Sequence, residues 1–455
     1  MGQATTIVAD SAAAATIVSP SPLMSSSSSS RSLTVLSPSK SSSASLSQQK
    51  VTIDVEFIDG LTNAKAKLHP RSYKSVDFAR DLLAILVALR VPGWHNTHVT
   101  AELLAINKVS GSLTNTIYFV SCPAVAVVPT LLLRIYGPSS GSLISRSHEL
   151  RMLHILSSRC HFGPRIYGTF ANGRIEEYFE SVTLVPSDLR DKKISQWIAS
   201  RMAELHSVDI SVVEGPLTVS ALEGKGWEIG VKKNVKAWMP VAREVLGLHC
   251  VSEATRQTLN MDHFYELWMR YLRWLSHVEK IEGAGQRVFA HNDTQYGNIL
   301  RLTGPLRQDI PEHHQLIVVD YEYASPNPVA FDIANHFHEW TADYRSSNPH
   351  LLDPSRYPTM EERQNFYRAY LAHARPIDTC TSSVPTLHSE AEVSKLERQV
   401  RIWSPASHAM WTVWGIVQAQ DNLERGELEP EFDYLAYATC RMEGFIRELS
   451  ELGVQ

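Results

Sequence analysis

A chain of 455 residues can bury a large core, either as one bilobal enzyme or as roughly two or three domains. Its 44% hydrophobic and 20% charged residues are the balance of a soluble globular protein, and a net charge of −5 argues against nucleic acid or an anionic membrane as the main partner. No uninterrupted apolar run approaches the ~20 residues of a membrane-spanning helix, and the five scattered cysteines form no C-x-x-C pair. Reduced thiols in the cytosol are therefore expected, and no stable membrane anchor.

The first fifty residues are Ser-rich, with Asp10, Arg31, Lys40 and Lys50 as their charges. Such a stretch cannot bury enough apolar surface to offset its ordering entropy. It is acid-poor like a transit peptide, but one arginine is too few, so a disordered tail open to phosphorylation is expected. From Val51 the composition turns globular. A helical pattern covers Val76 to Leu89, and Asn107 to Ser121 reads as strand, polar turn, strand. Leu131 to Tyr136 predicts another strand, and Ser147 to Ser158 a helix. Arg165 to Phe170 and Glu176 to Phe179 flank Ala171-Asn-Gly-Arg174 as a hairpin.

Beyond Asp191 helices dominate. Ile194, Trp197, Ile198, Met202 and Leu205 form one apolar stripe, and Phe264, Leu267, Trp268, Tyr271, Leu272 and Leu275 a stronger one. Thr359-x-x-Glu362 is a capping-box start. Further helical stretches run around Val393 to Glu424, with an interruption near Pro405, and from Pro430 to Leu449. Strands first and helices later predict an α+β architecture with a small β-rich lobe over residues 51–180 and a larger, mainly helical lobe over 181–455.

The chemistry concentrates in two acidic segments that end apolar runs. In Val288-Phe-Ala-His-Asn-Asp-Thr-Gln-Tyr-Gly-Asn-Ile-Leu300, Asp293 precedes Asn298 by five residues; in Leu316-Ile-Val-Val-Asp-Tyr-Glu-Tyr323, Asp320 ends a short buried strand. Protein kinases use this spacing for a catalytic Asp, a metal-binding Asn and a second metal-binding Asp. Phosphoryl transfer needs Mg²⁺ held on the phosphates and a hydroxyl aimed at phosphorus, which two carboxylates and a neutral oxygen can supply. Zinc is not expected: His313 and His314 sit in a polar loop, and His336 and His338 lack a visible partner set, so these histidines read as structural.

Taken together, the segments resemble the choline/ethanolamine kinase family from about Ile106 to Leu449. The matching pieces are Ser110 to Asn115, Leu132 to Gly137, Gly173 to Glu177, His291 to Asn298, Asp320 to Tyr323, and Phe331-Asp-Ile-Ala-Asn-His-Phe-His-Glu-Trp340, the most specific of them. The resemblance implies a bilobal protein-kinase-like fold, ATP and Mg²⁺ as cofactors, choline as substrate with some activity on ethanolamine, cytoplasmic residence and a homodimer. It assigns Asp293 and Gln295 to catalysis and Asn298 and Asp320 to the metal. On the nucleotide side it implies a phosphate-covering turn with Ser110, Gly111, Ser112 and Asn115, a phosphate-binding Arg134 paired with Glu149, and a hinge beginning at Glu177. Tyr323, Trp340, Tyr344, Trp411, Trp414, Tyr434 and Tyr437 match an aromatic choline pocket, with Glu322 and Glu339 adding negative charge; a quaternary ammonium is held by ring faces. The alternatives are a dedicated ethanolamine kinase and a catalytically dead choline-binding scaffold. Aminoglycoside-type phosphotransferases share the broad fold but lack the Phe331 to Trp340 segment.

Overall fold

The computed structural model describes residues 53–58, 60–111, 115–136, 146–215, 226–374, 389–426, 430 and 432–454. The Ser-rich stretch and Ser112 lie outside them, as do the side chains of Ser110, Gly111 and Asn115. The strands are β1 (Val55–Ile58), β2 (Leu61–Ala64), β3 (Ala105–Gly111), β4 (Asn115–Ser121), β5 (Leu131–Tyr136), β6 (Ile166–Phe170), β7 (Gly173–Glu177), β8 (Ser181–Thr183), β9 (Arg287–Ala290), β10 (Ile299–Leu302), β11 (Leu316–Val318) and β12 (Ser325–Pro328). The first seven form one sheet in the order β1-β2-β6-β7-β5-β4-β3, antiparallel except where β2 meets β6. β8, β10 and β11 make a three-stranded sheet, and β9 pairs with β12.

The helices are α1 (Val76–Ala88), α2 (Arg146–Arg159), α3 (Lys192–His206), α4 (Ile210–Glu214), α5 (Gly230–Leu246), α6 (Glu253–Thr258), α7 (Met261–Glu282), α8 (Val329–Glu339), α9 (Met360–His373), α10 (Glu390–Gln418), α11 (Gln420–Arg425) and α12 (Tyr434–Glu451). α3 starts where Asp191 caps the amides of Lys193 and Ile194, and the expected Thr359–Glu362 capping box opens α9. One sequence expectation fails: α10 runs unbroken through Pro405. Both faces of that stretch are buried, so packing holds the helix through the lost hydrogen bond. The hairpin's second strand also begins earlier than expected, at Gly173, after a two-residue turn.

Two apolar cores result. One, with Leu82, Trp94, Tyr118, Leu133 and Ile175, lies between α1 and the large sheet. The larger one gathers α3, α5, α7, α8, α10 and α12 around Phe264, Phe331, Phe337 and Phe445. A third cluster joins α2 to Phe289, Val318 and Tyr321, the residues that lead into the two acidic segments. The β-rich lobe is thereby seated against the strands that carry Asp293 and Asp320. Among the described residues no helix is long and apolar enough to cross a membrane, and Cys122, Cys160, Cys250 and Cys440 are free thiols.

Candidate active site

The loop after β9 is held from below by Asp332 of α8. Its carboxylate, fully buried, accepts the backbone amides of His291 at 3.1 Å and Asn292 at 2.7 Å and lies 2.9 Å from His206 Nε2. Burial alone would raise its pKa, but the His206 hydrogen bond and charge, together with the amide, hold it below the usual carboxylate value. Asn292 adopts a left-handed backbone, φ 65°, and its Nδ2 donates to Tyr323 O at 2.8 Å, tying the first acidic segment to the second. Val319 N completes the tie by donating to Asn298 O at 2.9 Å.

On this frame Asn298 Nδ2 donates to both Asp293 O and Asp293 Oδ2 at 2.9 Å. The amide's other end is left over: among the described residues Asn298 Oδ1 is buried without a hydrogen-bond partner, as is Gln295 Oε1. Burial, then the charges of Glu339, Asp320 and Glu322, push the Asp293 pKa well above its ordinary value. Burial also raises Asp320, with Arg134 acting against it. Crowded carboxylates beside orphaned amide oxygens form an all-oxygen donor set, which suits a hard divalent cation such as Mg²⁺.

Arg134 lies across the β5–β7 ladder from Arg174. Glu176 Oε1 receives both guanidinium groups, Arg134 Nε at 3.0 Å and Arg174 Nε at 2.7 Å, and Arg174 Nη1 reaches Glu149 Oε1 at 2.7 Å. The expected direct Arg134–Glu149 pair is therefore corrected to a four-residue chain. The sequence hid it because Arg174 and Glu176 become neighbours of Arg134 only through strand pairing. Alongside runs a slot between the lobes, walled by Phe119, Leu132, Tyr178, Phe179, Leu300 and Val319. Glu177 borders it and accepts the amide of Arg165 at 3.1 Å.

A second, small pocket is lined by Asp293, Gln295 and Glu339 together with Trp411, Trp414, Tyr437, Tyr344 and Phe432. Trp411 and Trp414 meet edge to face, ring centroids 5.1 Å apart. Both indole N–H groups are anchored outside the pocket, Trp411 on Asn335 Oδ1 at 2.7 Å and Trp414 on Tyr323 OH at 2.8 Å. Asn335 Nδ2 in turn donates to Asn292 O at 2.9 Å, so the Trp411 ring is referenced to the loop that carries Asp293. Glu339 is engaged on both oxygens: Tyr344 OH donates to Oε2 at 2.6 Å and Arg441 Nη2 to Oε1 at 2.8 Å.

Several expectations change here. Trp340 does not line the pocket; its Nε1 donates to His336 Nε2 at 3.2 Å and its ring lies 5.4 Å from the Arg190 guanidinium carbon. Adjacent helical positions point about 100° apart, so Glu339 and Trp340 cannot both face one site. Tyr323 and Tyr434 form an outer layer, packed edge-on to Trp411 at 5.4 Å and Trp414 at 5.7 Å. Glu322 is not part of this lining either; its main electrostatic neighbours are Asp320 and Glu149, opposed by Arg134 and Arg174, and with burial they raise its pKa well above the ordinary value. Sequence reasoning missed Asp332, Arg174, Glu176, Phe432 and Arg441. Asp332 lay inside the matched Phe331 to Trp340 segment, which was its one legible signal.

The sequence profile of the Choline/ethanolamine kinase family matches residues 106–446. The chain is 33% identical over 424 residues to a choline kinase of Schizosaccharomyces pombe, covering 83% of this chain and 90% of that protein. It is 32% identical to a choline/ethanolamine kinase of Homo sapiens, covering 78% of this chain and 82% of that one. Its fold matches a choline kinase of Cryptosporidium parvum with a TM-score of 0.61 at 23% identity, over 82% of this chain and 96% of that structure. With this match running through both lobes and every segment of the site, the chain belongs to the choline/ethanolamine kinase family.

Proposed function

We propose that the chain is an ATP-dependent phosphotransferase that converts choline to phosphocholine, the entry reaction of phosphatidylcholine synthesis, with ethanolamine as a second acceptor. The observation that carries this reading is a single pocket lined by Asp293 together with the aromatic side chains of Tyr344, Trp411, Trp414, Phe432 and Tyr437. The trimethylammonium group packs on the Trp411, Trp414 and Tyr437 faces, each worth ~0.5–2 kcal/mol. That leaves the hydroxyl arm directed at Asp293, which orients the hydroxyl and takes its proton.

Asn298 Oδ1 and Asp320 would hold Mg²⁺, with Gln295 beside them, and the ion would there supply neutralisation of charge on the phosphoryl oxygens. Arg134, kept extended by Glu176, meets the phosphates from the β-rich lobe, and Glu177 to Phe179 form the hinge past the base. Ser110 and Gly111, at the end of β3, and Asn115, at the start of β4, cover the phosphates; Ser112, assigned to the same task, lies outside the described residues. The lobes divide near residue 180. Cytoplasmic residence agrees with the free thiols, and a homodimer is part of the same reading.

Preference for choline over a dedicated ethanolamine role rests on the ring-rich lining of this pocket, with Trp411, Trp414, Tyr344, Phe432 and Tyr437. A trimethylammonium has no N–H donors and is held by ring faces, whereas a primary ammonium needs acceptors for its N–H groups. The deciding measurement is ATP consumption by the full chain with choline and with ethanolamine. Choline-dependent turnover with the higher kcat/KM is expected. Absence of turnover with both alcohols would leave the binding-scaffold alternative; a higher kcat/KM for ethanolamine would leave the dedicated ethanolamine kinase.

A further inference from the structure

A larger cavity, about 610 Å³, opens among α8, α9, α10 and α12, and its lining shares no residue with the aromatic pocket. Three side chains on its wall have no part in phosphoryl transfer: His338 of α8, His408 of α10 and Glu448 of α12. Glu448 Oε1 lies 3.6 Å from His338 Nε2 and 3.5 Å from His408 Nε2. The two rings are tilted by 48° with centroids 4.0 Å apart. His408 is only 3% exposed, and neither of its ring nitrogens has a hydrogen-bond partner among the described residues. Glu448 Oε2 is likewise buried without one. Buried polar atoms are nearly always paired, so a convergent set of orphans signals a missing ligand. Gly444 supports the arrangement. A Cβ there would come within 2.5 Å of His408 Cε1, so its absence lets α12 close on the ring.

We propose that His338, His408 and Glu448 form a binding site for a divalent cation of the Zn²⁺ class, which clamps α8, α10 and α12 together beside the substrate pocket. Zn–N bonds of about 2.0–2.1 Å in a tetrahedron set ligand atoms about 3.3 Å apart, close to the 3.6 and 3.5 Å that already separate Glu448 Oε1 from the His338 and His408 nitrogens, and all three ligand atoms lie within 4.8 Å of one another. Burial holds both imidazoles neutral, well below the usual histidine value, with His408 adding to the effect at His338 and Arg441 at His408. Neutral imidazole is the form that ligates a metal. The charge of the nearby Arg441 is met by Glu339. Ser404 Oγ now sits 2.8 Å from His338 Nε2; it swings aside on binding, and a water from the cavity supplies the fourth ligand. Two nitrogens and one carboxylate select Zn²⁺ or Co²⁺ over Mg²⁺, which separates this site from the all-oxygen site at Asn298. A rival cluster is already satisfied without an ion: Glu204 Oε1 lies 2.6 Å from His313 Nε2 and 3.1 Å from His314 Nε2.

The test is calorimetric titration of the full, chelator-stripped chain with Zn²⁺ in excess Mg²⁺, with Co²⁺ absorption as a second readout and melting curves beside both. One equivalent should bind, give a tetrahedral Co²⁺ spectrum and raise the melting temperature. Glu448→Gln and His408→Ala should each weaken binding by at least about tenfold, the loss that even an outer-layer partner causes. His313→Ala should bind as wild type. The proposal is overturned if wild type takes up no Zn²⁺, if Glu448→Gln binds like wild type, or if His313→Ala is the variant that loses the ion. Should His408→Ala lose its helical circular dichroism, the near-isosteric Glu448→Gln decides.

Discussion

Arg441 and Glu339 form an ion pair with Nη2 and Oε1 2.8 Å apart and side chains 0% and 2% exposed. The same guanidinium donates through Nε to Tyr437 OH at 3.0 Å, so one residue neutralises the pocket's carboxylate and positions one of its rings. Because both partners have been taken out of water, removing one leaves the other as an uncompensated buried charge. Arg441→Met should therefore cost about 3–5 kcal/mol of stability by denaturant unfolding. A loss below about 1 kcal/mol would mean that the pair is solvated in solution.

Asp293→Ala should fold normally and lose turnover by roughly a thousandfold or more. Its backbone and side-chain oxygens both receive Asn298 Nδ2, so the circular dichroism spectrum must be checked beside the rate. A folded variant that keeps more than about a tenth of wild-type turnover would remove Asp293 from its catalytic role.

Asp332→Ala tests the loop anchor rather than the chemistry. It strips acceptors from the His291 and Asn292 amides and from His206, all buried. A destabilisation of about 3 kcal/mol or more, together with a lower turnover, is expected. Wild-type stability in this variant would show that water replaces the carboxylate.

The acidic cluster has a pH signature. Burial raises Asp293, Asp320 and Glu322 above their ordinary values, and the charge of Asp320 adds to the effect at Asp293 and Glu322. The folded chain thus binds more protons than the unfolded one between those ordinary values and the raised ones. Across that window the cluster's contribution to stability falls as pH rises. Mg²⁺ requires the ionised carboxylates, so its melting-temperature gain should be larger at about pH 8 than at about pH 5.5. An equal or larger gain at the acid pH would contradict a carboxylate metal site at this position.

Substrate preference is tested at Trp414. Trp414→Leu keeps an apolar filling but removes a ring face and the N–H that holds Tyr323 OH. Loss of ~2 kcal/mol of cation–π contact is roughly thirtyfold in choline affinity, and ethanolamine should suffer far less. Michaelis constants for both alcohols, with melting curves, decide the matter. Equal losses that track a lowered melting temperature would make the ring a packing element only.

The sequence by itself determined the elements and the order of their chemistry. Asp293, Asn298 and Asp320 were legible because their spacing is local: five residues along a loop, and the end of an apolar strand. The capping box at Thr359 and the stripes of α3 and α7 were legible for the same reason, since a helix repeats every 3.6 residues. Only the tertiary structure decided the partners. Glu176 reaches Arg134 through a strand pairing, and Arg441 reaches Glu339 across 102 positions of chain. It also sorted the aromatic residues, keeping Trp411, Trp414 and Tyr437 at the pocket and sending Trp340 toward Arg190. His338, His408 and Glu448 read as unrelated residues until α8, α10 and α12 pack together. Local periodicity is written in consecutive residues, whereas charge pairing and pocket lining depend on which distant surfaces burial brings into contact.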